Sequence, residues 1–223
     1  KNYVKKLNKI IYSFLWNSKR EKVKRVVVIN PPLQGGLGMV DLDSRMKSLL
    51  LSWIPKILND DKPPWKYLCL FWTHKIGGIP LCFQCNCSIK DMYLLCKKYT
   101  IPPFYSGLLS SWAELHHLSM FNVKDIQNEI IWNNSNIKDQ HRLLYFKNWH
   151  EKGVLRISQL FEYGLWKDAE QINELLMTNS LLIIFQYAKI KASFPKCWFD
   201  QLNRNLRGEQ IQQKSLTVIH SLK

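Results

Sequence analysis

Five of the six cysteines fall between Cys69 and Cys96, and Cys82-x-x-Cys85-x-Cys87 near His74 offers soft ligands of the kind that hold zinc. A structural zinc site is built from two well-spaced ligand pairs. One pair and scattered singles predict buried thiols instead. Asp60-Asp61 could hold metal only with a third acid on a rigid scaffold, and its Asn/Asp/Lys/Pro neighbours spell a loop. His116-His117 cannot share one helix face, and no nucleophile or acid lies at a telling distance. Gly35-Gly36-x-Gly38 lacks the Lys-Ser/Thr of a phosphate loop and the spacing of a dinucleotide fold, so it reads as a turn. The chain is therefore expected to have no catalytic residue, no bound metal and no cofactor of its own.

Charge carries a stronger signal. Lys1 to Arg25 contains nine Lys/Arg against the single acid Glu21, a net +8, within a chain whose total is +15. Such a segment predicts phosphate contact, with Lys5, Lys6, Lys9, Lys19, Arg20, Lys22, Lys24 and Arg25 as the gripping side chains. Lysines and arginines release condensed counterions from a nucleic-acid backbone, which gives affinity without sequence choice. A solvated helix face and an anionic membrane surface are the competing readings. Trp16 closes the segment as an anchor or a stacking platform.

The elements that position these groups follow from periodicity. Over residues 3–15, Tyr3, Val4, Leu7, Ile10, Ile11, Phe14 and Leu15 share one arc of a helix and the lysines the other. Val26 to Ile29 is short and β-branched and predicts a strand, which Pro31-Pro32 stop. Gly35, Gly36 and Gly38 supply the turn. Asp41 or Asp43 caps a helix with Met46, Leu49, Leu50, Trp53 and Ile57 inward and a break near Pro55. Helices follow over 106–120, 167–177, 180–193 and from Pro195 to about Arg207. Trp132-Asn133-Asn134 reads as a core anchor with a side-chain-capped turn, with RNA contact by the Asn amides as the sharper alternative. Phe146 to Lys152 is a helical turn ended by Gly153, and Ser158 caps the next. The fold class is mainly α, an irregular helical assembly with a few short strands. A basic helix and strand over 1–30 would precede a helical region over 31–223, as one body or as two lobes divided near 100–105.

Twenty-eight aromatics (9 Trp, 9 Tyr, 10 Phe) exclude a disordered basic tail. Apolar runs of about five residues exclude a helical membrane span, which needs about 18 or more. Reduced thiols and a start without a signal-peptide pattern predict an intracellular protein, in cytoplasm and nucleus. The start also lacks Met, and the chain reads as a piece of something longer.

Phe14 to Arg20 (FLWNSKR), Pro31 to Leu42 (PPLQGGLGMVDL) and a helix bearing Trp53 occur in an order that resembles the region after the catalytic core of LINE-type, non-LTR retrotransposon reverse transcriptases. Trp132-Asn133-Asn134 with Ile137, then Trp149 with Gly153-Val154 and Leu160, resembles a second signature of those polyproteins. The resemblance implies the thumb end and wrist of the polymerase: a part that grips RNA template and DNA primer, joins the rest of the polyprotein and leaves chemistry to a core using Mg. No paired-aspartate polymerase motif, endonuclease signature or Cys-Cys-His-Cys knuckle lies in the chain. The reading from another class is a helical protein–protein module with an aromatic docking surface.

Overall fold

The computed structural model describes residues 2–18, 20–119, 126–162, 165–178 and 180–203. Among these the protein is mainly helical, with two small antiparallel hairpins. The chain divides into two compact units, Lys1–Asn59 and Asp60–Lys223.

The first unit holds α1 (Asn2–Leu15), α2 (Arg25–Ile29), α3 (Leu42–Leu51) and α4 (Trp53–Leu58). The strand expected at Val26 to Ile29 is a helix. Propensity loses here to hydrogen bonding: among the described residues no strand pairs with it, while the following turn supplies partners for the last carbonyls of a helix. Leu37 N–H and Met39 N–H both donate to Val28 O, at 3.1 and 3.2 Å, and Gly38 N–H donates to Asn30 O at 2.8 Å. These carbonyls would otherwise be orphaned at the helix end. Asp41 is the cap of α3, its carboxylate accepting from Asp43 N–H. The helix breaks at Ser52, three residues before Pro55, which sits inside the first turn of α4 where its missing N–H costs no bond. That break turns the predicted stripe: Ile54 and Ile57 are buried, whereas Met46 and Leu49 are about half exposed.

The second unit begins with α5 (Pro64–His74), α6 (Gly78–Gln84), α7 (Ile89–Lys98) and α8 (Pro103–Ser119). No lobe boundary falls at 100–105. Thr100, at φ +51, ends α7, Ile101 N–H returns to Cys96 O, and α7 and α8 pack on each other across the turn. The division lies instead before Pro63-Pro64. Leu81, Met92, Leu108 and Leu109 fill the layer between these helices together with the thiols of Cys69, Cys82 and Cys96.

Beyond them come a hairpin of β1 (Lys138–Asp139) and β2 (Arg142–Leu143), α9 (Lys147–Glu151), a second hairpin of β3 (Phe161–Glu162) and β4 (Leu165–Trp166), α10 (Ala169–Leu175), α11 (Leu181–Ser193) and a helical stretch over 196–203. Ile130 makes a single bridge to Arg156, and the chain then runs through successive turns to Ile137. Ser158 does not cap. The cap is Arg156, whose N–H donates to Gln159 Oε1 at 2.8 Å. Phe161, Trp166, Tyr187 and Phe194 close the far end as an aromatic cluster, with Trp166 stacked on Phe199 at 6.3 Å between centroids.

Candidate nucleic-acid interface

The basic segment is built on α1. Among the described side chains of α1, Tyr12 is the buried one, and Val4, Ile11 and Leu15 are half-buried. Lys5, Lys6 and Lys9 lie exposed on the remaining surface. The helix ends at Asn17 and Ser18, both in the left-handed region at φ +48 and +58, with Ser18 N–H returning to Ser13 O at 2.7 Å. Further on, Arg20, Lys22 and Lys24 are exposed in a stretch without regular structure. Lys19 lies outside the described residues. Trp16 is half-buried, with its indole nitrogen shielded and unpartnered, so it serves as an anchor.

Arg25 is placed differently from the six other described cations. Its Nε donates to both oxygens of Glu21, at 3.2 and 3.0 Å, and its guanidinium lies 4.4 Å above the Tyr12 ring. The hydrogen bond from Arg25 holds the Glu21 carboxyl below the usual carboxylate range. Arg25 thus ties Glu21 to α1, and it consumes the segment's only acid. Among the described residues, Lys5, Lys6, Lys9, Arg20, Lys22 and Lys24 are left with no carboxylate partner.

The glycine turn closes over the end of α2. Gly35 and Gly38 take φ of +78 and +64. A Cβ on Gly36 would stand 2.0 Å from Asn30 O and 2.6 Å from Val27 O, so the return of the chain over the end of α2 needs glycine there.

Trp132, Asn133, Asn134, Trp149 and Gly153 are brought together in the second unit as a structural centre. Both indoles are fully buried, edge to face at 6.2 Å. Trp132 Nε1–H donates to Val154 O at 2.6 Å and Trp149 Nε1–H to Gln186 Oε1 at 2.8 Å. Asn133, at φ +51, sends its amide to Ile76 O at 3.1 Å, and Asn134 donates to Ile130 O at 2.7 Å and Glu129 Oε2 at 3.1 Å. These Asn amides face protein, not solvent, which removes the alternative of RNA contact through them. Gly153, at φ +81, ends α9.

Set against known proteins, the chain matches no family profile, no curated protein and no solved structure.

The clustered cysteines are buried and free, Cys197 alone being exposed. Burial pushes the Cys82 and Cys96 thiols up; at Cys87 the hydrogen bond with Cys85 does so first and burial adds to it. Among the described residues no three His, Cys, Asp or Glu side chains converge on a metal position. Asp60 and Asp61 are exposed.

One polar cluster escaped the sequence. Asp91 Oδ2 accepts from Ser88 Oγ at 2.7 Å, Ser135 Oγ at 2.6 Å and Lys138 Nζ at 2.6 Å. Burial would raise this carboxyl, but the bonds from Lys138, Ser135 and Ser88 outweigh it and hold it below its ordinary value. Ser88-x-x-Asp91 is a capping spacing visible in the sequence. Ser135 and Lys138 lie more than forty residues further on, and only the fold brings them there.

Proposed function

We propose that the chain is a non-catalytic, nucleic-acid-gripping region of a LINE-type reverse transcriptase, holding RNA template and DNA primer through their phosphates while the rest of the parent polyprotein performs RNA-directed DNA synthesis with Mg. The observation that carries this reading is the set of six exposed cations, Lys5, Lys6, Lys9, Arg20, Lys22 and Lys24, left without a carboxylate once Arg25 has taken Glu21. The ordered motifs from Phe14 to Leu42 and from Trp132 to Leu160 support the family. A polyanion meeting this surface displaces counterions without displacing any protein acid, so each contact adds affinity at low salt. The grip is sequence-tolerant, because lysines on phosphate read no base edge. Such work belongs to the cytoplasm and nucleus. Among the described residues, no helix is long and apolar enough to cross a membrane.

The test is a binding titration over a range of salt. With four to six side chains on phosphates, log K should fall against log salt with a slope of about −3 to −5. Charge reversal at Lys5, Lys9, Lys22 and Lys24 should flatten that slope by about 3 and leave the melting transition in place. Equal slopes for wild type and variant would sink the reading.

One observation favours a second reading. Tyr3, Leu7, Ile10 and Phe14, spaced along one stripe of α1, are 82%, 50%, 64% and 88% exposed. An uncovered stripe of this kind suits a helix of a protein partner. A partner held with little salt dependence through these four side chains would make α1 a docking helix.

A further inference from the structure

The second unit carries a cavity of about 430 Å³ between α7 and the β1–β2 hairpin. That volume lies within the range of small-ligand sites, about 300–1,000 Å³. Its lining combines two kinds of chemistry. Leu95, Tyr99 and Tyr145 give it an apolar and aromatic wall, while Lys98, His141 and Arg142 stand around it. Tyr145 is steadied by His150, whose Nδ1 lies 3.3 Å from the phenol oxygen.

The hairpin explains why cations collect there. Gln140 and His141 form its two-residue tip, both at positive φ (+45 and +73), so the strands fold back tightly and Arg142 pairs in register with Asp139. Asp139 would be its natural counter-ion, yet its carboxylate is bound to Lys189 at 2.7 Å. Asp91, on the cavity wall, is likewise taken by Lys138, Ser88 and Ser135. Among the described residues neither Lys98 nor Arg142 has a carboxylate partner, and Lys98 Nζ rests 5.0 Å over the Tyr99 ring. Both acids are neutralised from outside, and the two cations of the cavity are left open to solvent.

From this we infer that the cavity is a nucleotide site, taking one nucleoside monophosphate unit with its base against Tyr99 and Tyr145 and its phosphate on Arg142 and Lys98. A guanidinium binds phosphate oxygens in pairs, and an aromatic ring accepts any base face. The unit can be a free nucleotide or one unstacked residue of a single strand. The site stands on residues remote in sequence from α1, and its failure is separable from that of the basic segment.

The experiment titrates the full chain by calorimetry with AMP, adenosine, inorganic phosphate and a single-stranded oligoadenylate. AMP should bind at least about tenfold more tightly than adenosine or phosphate alone, since each supplies only half of the contacts. Arg142→Glu and Lys98→Glu, both at exposed positions, should each weaken AMP about tenfold or more with an unchanged thermal transition, while Arg142→Lys should weaken it less. The α1 charge reversal should leave AMP binding as it was. If Arg142→Glu also weakens the oligoadenylate and AMP competes with it, the source is a strand; if the strand ignores Arg142→Glu, the source is free nucleotide. AMP binding no tighter than phosphate, or indifferent to both charge reversals, would overturn the assignment.

Discussion

Two buried carboxyls in the second unit respond to pH with opposite signs. Asp91 is held below its ordinary value, so the unfolded chain takes up its proton first on acidification. Its stabilisation is complete above the ordinary aspartate value of about 3.9 and is lost as pH falls below it toward the folded value. Asp91→Asn should cost about 3 kcal/mol at pH 7, because Lys138 and two hydroxyls lose an ionised acceptor. Glu129 is the reverse case. Burial raises it, only partly offset by Asn134 and Asn86, so the unfolded chain ionises first as pH rises. Its contribution is best below the ordinary glutamate value of about 4.3 and declines as pH climbs through the folded value. Glu129→Gln should raise stability at pH 7, since a neutral amide still accepts from Asn134. Urea midpoints for wild type and both variants between pH 3 and pH 8 check both signs. An Asp91→Asn midpoint unchanged at pH 7, or a lowered one for Glu129→Gln, would contradict this account.

At the scale of elements, the turn over α2 makes a sharper claim about glycine than composition could. Gly35 has positive φ and open space around it, so Gly35→Ala costs only the left-handed penalty of about 1–2 kcal/mol. Gly36→Ala places a methyl inside the carbonyls of Asn30 and Val27 and should cost about 3 kcal/mol or more. The amides of Leu37, Gly38 and Met39, bonded to the end of α2, should then exchange with solvent on the order of a hundredfold faster. Equal effects of the two substitutions would mean the turn does not approach α2 so closely. The turn itself was legible, because three glycines after Pro31-Pro32 admit little else. The identity of α2 was not: Val-Val-Val-Ile favours a strand locally, and the decision rests on carbonyl partners eight to eleven residues later. The basic face of α1 was equally legible from its period. The bonding of Arg25 to Glu21 and its stacking on Tyr12 were not, because an i, i+4 pair announces a shared helix, and here Glu21 precedes the helix that Arg25 begins. The cavity rim was hidden for a different reason, since Lys98 and Arg142 meet through a hairpin whose strands are two residues long.

For the whole molecule, the two units differ in how much core each owns. The first buries Tyr12, Val28, Ile54 and Ile57, while the second buries Trp132, Trp149 and a long set of aliphatic residues and thiols. A chain of about 60 residues with so few buried side chains falls near the limit of independent stability. Residues 60–223 expressed alone should therefore melt cooperatively, and residues 1–59 alone should not, as followed by circular dichroism. A sharp transition from the short fragment would show that its fold draws on more than these four side chains. The Trp132–Trp149 pair gives the longer fragment its own reporter, for indoles without solvent emit at short wavelength and shift to the red when the centre opens.

The thiols set up one further consequence. Cys197 is the only cysteine that a reagent can meet on the folded chain, and the other five all lie between residues 69 and 96. Alkylation should therefore run in two stages, one equivalent at once and the remaining five on the schedule of a single event, the opening of the packing around α5 to α7. A dye placed at position 197 in the first stage leaves the interior untouched, and the second stage then becomes a clock that counts how often that packing comes apart.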